Sequence, residues 1–151
     1  MADRTESSIV VDAAPGDVLD VIADFDAYPE WTGAVRQAEV LEEDEDGWAR
    51  TVRFVLDAGV LRDTYTLAYT WEFAEDGTGT VSWTLVQADI LKAMDGSYRL
   101  RDAAGRQGAG TEVTYTLSVE VRMPMLGMLR RKAEKTIIDT ALKELKKRAE
   151  G

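Results

Sequence analysis

The sequence contains neither cysteine nor histidine among its 151 residues. Without cysteine there are no disulfides, thiolate metal sites or cysteine nucleophiles. Without histidine, the side chain that most readily moves protons near neutral pH is missing, and histidine triads and histidine-ligated zinc go with it. Any acid–base chemistry falls to a carboxylate, a tyrosine or a lysine of shifted pKa. No apolar run approaches the roughly 20 residues needed to cross a bilayer. The opening MADRTESS has no basic stretch leading into an apolar one, so no secretion signal is expected. These absences point to a cytoplasmic protein with no resident metal or cofactor.

Positive charge is also in short supply: 18 Lys and Arg stand against 28 Asp and Glu, a net charge of −10. A phosphate backbone rewards clustered cations, so nucleic acid is not an expected partner. The cations are unevenly spread. Residues 128–151 hold eight Lys and Arg against four Asp and Glu. Lys143, Lys146, Lys147 and Arg148 fall where a helix macrodipole favours cations, and the same basic end could make transient contact with an acidic partner or membrane surface.

What is present is an ordinary globular composition, 45% hydrophobic, in a chain long enough for one domain, 1–151, with a core of its own. Residues 5–12 predict a short strand. The stretch APGDVLDVIADF predicts a helix, with Val18, Val21, Ile22 and Phe25 at helical spacing and Pro15 at its first turn. Pro29 stops that helix, inside the aromatic cluster FDAYPEWTG. From about residue 34 to 122 the chain predicts strands and turns. Asp46-Gly47 and Asp76-Gly77 are hairpin signals, Ala58-Gly59 is a turn, and DAAGRQGAGT is a longer loop.

The strands alternate. Tyr65, Leu67, Tyr69, Trp71 and Phe73 share one face, as do Val81, Trp83 and Leu85, and Val113, Tyr115, Leu117, Val119 and Val121, each opposite a polar face. Residues 34–41 show no clean phase, and Val52, Phe54 and Leu56 are expected inward. After Pro124 a long helix runs to about residue 149. Leu126, Leu129, Ala133, Ile137, Ala141 and Leu145 form its apolar stripe, widened by Ile138 and Leu142. A twisted antiparallel sheet can wrap around that helix, and a curved sheet around one helix is hard to fill everywhere, so an internal cavity is expected.

Two apparent motifs fail. EEDEDG resembles a calcium loop, but its twelfth position, which needs a bidentate glutamate, is Arg53. GRQGAG has the wrong glycine spacing for a dinucleotide loop and precedes a strand rather than a helix.

Four segments carry a family resemblance: APGDVLDVIADFDAYPEWTGAVRQAEVLE (14–42), YTLAYTWEF (65–73), MDGSYRL (94–100) and GAGTEVTYTLSVEV (108–121). Together they resemble the START-like, or SRPBCC, helix-grip superfamily, in its bacterial polyketide cyclase/dehydrase and lipid-transport group, near the coenzyme Q-binding proteins. The resemblance implies an α+β helix-grip fold. A curved antiparallel sheet of about seven strands would wrap around the long C-terminal helix, with two short helices after the first strand. It also implies an internal ligand cavity. Trp31, Phe54, Tyr65, Tyr69, Trp71, Trp83, Tyr98, Tyr115, Met125 and Leu129 are its expected lining, with Met123 and Met128 as adaptable apolar neighbours. Arg50 and Asp63 share the inward phase. Both lie near strand ends, where exposure is the expected outcome; turned inward, they would pair or orient a ligand head group. The expected function is binding or transport of a small hydrophobic molecule, a lipid, isoprenoid or polyketide, by a monomer or homodimer. The alternative is a polyketide cyclase or aromatase, in which a tyrosine or carboxylate assists enolisation and dehydration.

Overall fold

The computed structural model describes residues 4–57, 62–105, 108–122 and 127–151. Strand β1 (Thr5–Val11) is followed by helix α1 (Pro15–Ala23), a 3-10 turn (Phe25–Ala27) and the one-turn helix α2 (Tyr28–Trp31). Six strands come next: β2 (Val35–Glu43), β3 (Ala49–Asp57), β4 (Arg62–Phe73), β5 (Gly79–Ala88), β6 (Leu91–Gly105) and β7 (Gly108–Val121). Helix α3 (Gly127–Glu150) closes the chain. The strands form one curved antiparallel sheet in the order β1-β7-β6-β5-β4-β3-β2. Consecutive strands are neighbours from β2 to β7, and only β1 crosses over, to pair with β7.

Turn chemistry sets the hairpins. Gly47 and Gly77 both take a left-handed backbone, φ +89° and +90°, which a side chain resists. The carboxylates of Asp44 and Asp76 accept backbone N–H bonds across these turns. The Ala58-Gly59 turn lies outside the described residues. Of the predicted loop at residues 102–111, residues 102–105 and 108–111 are instead strand: β6 and β7 stay paired out to Gly105 and Gly108, and residues 106–107 lie outside the described residues. Three glycines in that stretch suggested a break, but pairing along both strands outweighs their weak strand preference.

The missing phase of residues 34–41 has a structural cause. β2 is an edge strand whose register against β3 slips at three places. One slip, between the Glu42–Thr51 and Glu43–Ala49 pairs, takes Arg50 out of the inward phase and leaves it exposed, as its place near a strand end implies. Ala49 and Val52 are both buried, so the alternation of Val52, Phe54 and Leu56 does not extend back to Arg50, which is exposed. A bulge reverses the facing of every residue beyond it.

Helix α3 does not lie centrally in the sheet. It packs on β1 and β7 and touches α1 and α2. Ile138, Leu142 and Leu145 are its buried face. Ala133, Ile137 and Ala141, the expected centre of the stripe, are instead half-buried along its flank. Glu134 sits in the buried contact, 1% exposed. Its carboxylate accepts from the Thr5 hydroxyl and from Val119 N–H, each at 2.7 Å. β1 pairs with β7 only as far as Leu117, so Glu134 satisfies a β7 amide that the neighbouring strand no longer reaches. Because α3 is held at the β1–β7 end, space remains between its flank and β3–β6.

Candidate ligand cavity

The stretch FDAYPEW divides into plug and lip. Phe25 is 2% exposed and lies with its ring centroid 4.9 Å from Tyr28 and 5.0 Å from Tyr69. The Tyr28 hydroxyl donates to the Ile22 carbonyl at 2.5 Å. These two rings fill core. Trp31, at the end of α2, stands edge-on to Tyr28 at 5.0 Å and is only half-buried. It faces a cavity of about 180 Å³.

The strands supply most of the walls. β3 contributes Phe54 and Leu56, β4 Tyr65, Leu67 and Tyr69, and β5 Trp83; β6 adds Met94 and Tyr98, and β7 Tyr115 and Leu117. Facing the strands is the flank of α3: Ala133, Thr136, Ile137, Thr140, Ala141 and Glu144. Thr136 and Thr140 are exposed, so the mouth opens between the middle of α3 and the lip at Trp31, Thr32, Ala34 and Val35. Two contacts tie lip to helix. Gly33 N–H donates to Glu144 Oε2 at 3.1 Å, and Arg148 Nη2 meets Glu30 Oε1 at 3.4 Å.

Seven expected lining residues meet here: Trp31, Phe54, Tyr65, Tyr69, Trp83, Tyr98 and Tyr115. Trp71 does not join them. It lies farther along β4, its Nε1–H donates to the Ala49 carbonyl at 2.7 Å, and its ring packs on Trp48 at 4.9 Å. Period-two alternation placed it on the correct face but could not say where the cavity ends. Met125 lies outside the described residues, as does the side chain of Leu129; Met123 is likewise outside them, and Met128 is exposed.

Asp63 corrects the expectation of exposure, and it is not a cavity group. It is 7% exposed, and its carboxylate collects four backbone N–H bonds. Oδ1 accepts from Thr64 and Asp89 at 2.8 and 3.1 Å, and Oδ2 from Ile90 and Leu91 at 3.1 and 2.8 Å. It pins the β5–β6 turn to the start of β4.

Glu144 went unnoticed in the sequence, yet its position carried a signal. It continues the spacing of Ala133, Ile137 and Ala141 and is the one ionised-type side chain among the described lining residues. Its Oε1 is buried without a hydrogen-bond partner among the described residues, and so is Trp31 Nε1. All five tyrosines of the chain are in or beside this cavity. Burial pushes every one above the ordinary phenol value, and neighbouring tyrosines add to the shift for Tyr28, Tyr65, Tyr69 and Tyr98. They are hydroxyl donors at neutral pH, not bases.

Gly96 makes room for this wall. A β-carbon there would sit 2.5 Å from the indole of Trp83, its cross-strand partner. Trp83 is wedged between Tyr69, Tyr98 and Tyr115 at centroid distances of 5.5 to 5.7 Å, so it cannot step aside. Gly96→Ala is expected to cost about 1–3 kcal/mol from overpacking, readable as a lower urea midpoint. An unchanged midpoint would show that the indole has freedom to move.

Among the described residues no helix is long and apolar enough to cross a membrane. A family model, polyketide cyclase / dehydrase and lipid transport, matches residues 11–146. Solved structures are similar over almost the whole chain. A START superfamily protein from Mycobacterium smegmatis matches with TM-score 0.85 at 20% identity, covering 97% of each chain. The ZhuI aromatase/cyclase from Streptomyces sp. R1128 matches with TM-score 0.77 at 18% identity, covering 99% of this chain and 94% of that one. A Thermus thermophilus protein, TTHA0849, matches with TM-score 0.76 at 20% identity, covering 97% of each chain. At these identities the structures speak for the fold, while the family match spans most of the sequence. With its seven-stranded sheet gripping a C-terminal helix, the chain belongs to the polyketide cyclase/dehydrase and lipid transport family of START-like proteins.

Proposed function

We propose that the protein binds a small hydrophobic molecule in the space between β3–β7 and α3, and holds or carries it without changing it. The observation that supports this most is the cavity itself: enclosed by aromatic and aliphatic side chains, yet open at a mouth between α2 and α3. At about 180 Å³ it is close to the size of an engineered apolar cavity of roughly 150 Å³ that takes up benzene. It therefore suits a one- or two-ring guest, or one segment of a longer molecule. A guest burying about 250 Å² would gain roughly 6 kcal/mol at 25 cal/mol per Å². The cost of association offsets much of that, so apolar contact alone gives weak binding and polar contacts decide affinity.

The test is native mass spectrometry of freshly purified protein, followed by organic extraction and identification of what is released. A bound apolar molecule, recovered unchanged after displacement, is the expected result. A bare chain that takes up nothing from a panel of lipids, isoprenoids and aromatic polyketides would overturn the proposal.

One observation favours a second reading, a cyclase or aromatase acting on a poly-ketone chain. The Glu144 carboxylate is close enough to Tyr98 to help raise its pKa. A carboxylate beside a neutral phenol can take a proton from a carbon flanked by ketones while the phenol donates to the enolate oxygen. Cyclised product from a poly-ketone thioester, lost in Glu144→Gln, would support this reading over simple carriage.

A further inference from the structure

We infer that the cavity selects an uncharged guest bearing a hydroxyl, bound between Trp31 Nε1 and Glu144 Oε1. This rests on the cavity being a binding site and names the chemistry it would accept. Both atoms belong to lining residues: Trp31 ends α2 on the lip, and Glu144 stands on α3, tied to that lip through Gly33 N–H. Both are buried without a partner among the described residues. A buried polar atom with no partner forfeits its hydration and gains nothing in return. Two among the lining residues of one cavity are a standing demand for a ligand group.

The demand has a specific form. Trp31 offers only a donor, and the free Glu144 oxygen is an acceptor; its other oxygen is already used by Gly33 N–H. A hydroxyl answers both, accepting from the indole and donating to the carboxylate. A ketone or ether accepts from Trp31 and leaves Glu144 unmet. A carboxylate or phosphate brings negative charge against Glu144, and the described lining residues include no Lys or Arg to offset it. Burying an unpaired anion there is expensive. The remaining walls include the rings of Phe54, Tyr69 and Trp83, which favour an aromatic body for the same guest.

The test compares naphthol, naphthalene and naphthoate by calorimetric titration into the intact protein and into Glu144→Gln and Trp31→Phe. In the unaltered protein naphthol is expected to bind about tenfold tighter than naphthalene, as one charge-assisted hydrogen bond allows. Naphthoate is expected to bind more weakly than naphthol by about tenfold or more. Glu144→Gln can keep the bond to Gly33 while turning an acceptor into a donor; the hydroxyl then accepts neutral bonds only, so the advantage of naphthol should shrink several-fold while naphthoate improves. Trp31→Phe should weaken naphthol several-fold and leave naphthalene unchanged. Naphthalene matching naphthol in the unaltered protein would overturn the hydroxyl assignment and leave the cavity as a binding site. Failure of all three compounds, together with a purified chain that carries nothing, would overturn both.

Discussion

Carried above about pH 10, the protein is expected to unfold in one cooperative step, with its tyrosines still protonated until that step. All five tyrosines of the chain line or flank the cavity, and burial raises each above its ordinary value. The sign follows from linkage. In the unfolded chain the phenols lose their protons near pH 10, while in the folded chain they hold them to higher pH. Below pH 10 both states are protonated and the stabilisation is complete. Above it, only the unfolded state gains by ionising, and stability falls. Each silent tyrosine contributes about 1.4 kcal/mol per pH unit, so five together approach about 7 kcal/mol per unit. Against a typical stability of about 5–15 kcal/mol, such a slope ends the folded state within roughly two pH units. Tyrosinate absorbance and far-ultraviolet circular dichroism should therefore change together. A gradual tyrosinate signal near pH 10 with intact dichroism would mean that the phenols reach solvent without unfolding.

The second large effect is expected at Asp63. In Asp63→Asn one oxygen becomes an amide NH₂, which faces two backbone N–H donors where an acceptor stood. Whichever way the amide turns, one pair loses its partner, either Thr64 and Asp89 or Ile90 and Leu91. The surviving pair loses the charge that strengthened it. Each unmet buried donor costs about 1–3 kcal/mol, and bonds to a charged group are worth about 1.5–3 kcal/mol. A total near 3–5 kcal/mol is expected, close to the cost of removing one partner of a buried ion pair. For a chain of this size that lowers Tm by about 10 °C or more. A loss below about 1 kcal/mol by urea denaturation would show that water replaces the carboxylate. Ligand binding by the folded fraction should be unchanged, because Asp63 lies outside the cavity; this distinguishes it from Glu144 and Trp31.

Arg50, Asp63 and Trp71 show where sequence stops being informative. The order of elements, the inward faces of β4, β5 and β7, and the aromatic lining were legible because alternation and helical spacing are local properties. Seven of the expected lining residues meet at one cavity for that reason. Arg50 is exposed as expected, but its inward phase was misread, because a bulge in the β2–β3 pairing flips its facing and no local pattern signals the bulge. Asp63 was expected to be exposed because it begins a strand, whereas three of its four donors come from residues 26 to 28 positions away. Trp71 has the right phase but lies beyond the cavity's end.

The sequence by itself therefore determined the order of the elements, the inward faces of β4, β5 and β7 and the lack of histidine and thiol groups, because composition and periodicity are written residue by residue. Tertiary structure alone decided that α3 seats on β1 and β7 rather than centrally, since that depends on Ile138, Leu142 and Leu145 finding the sheet and on Glu134 satisfying Val119. That off-centre seat leaves the cavity open on the other flank of α3. It also brings Glu144 to the cavity that Trp31 lines and to the N–H of Gly33, a bond between residues more than a hundred positions apart, which only the packed chain can make.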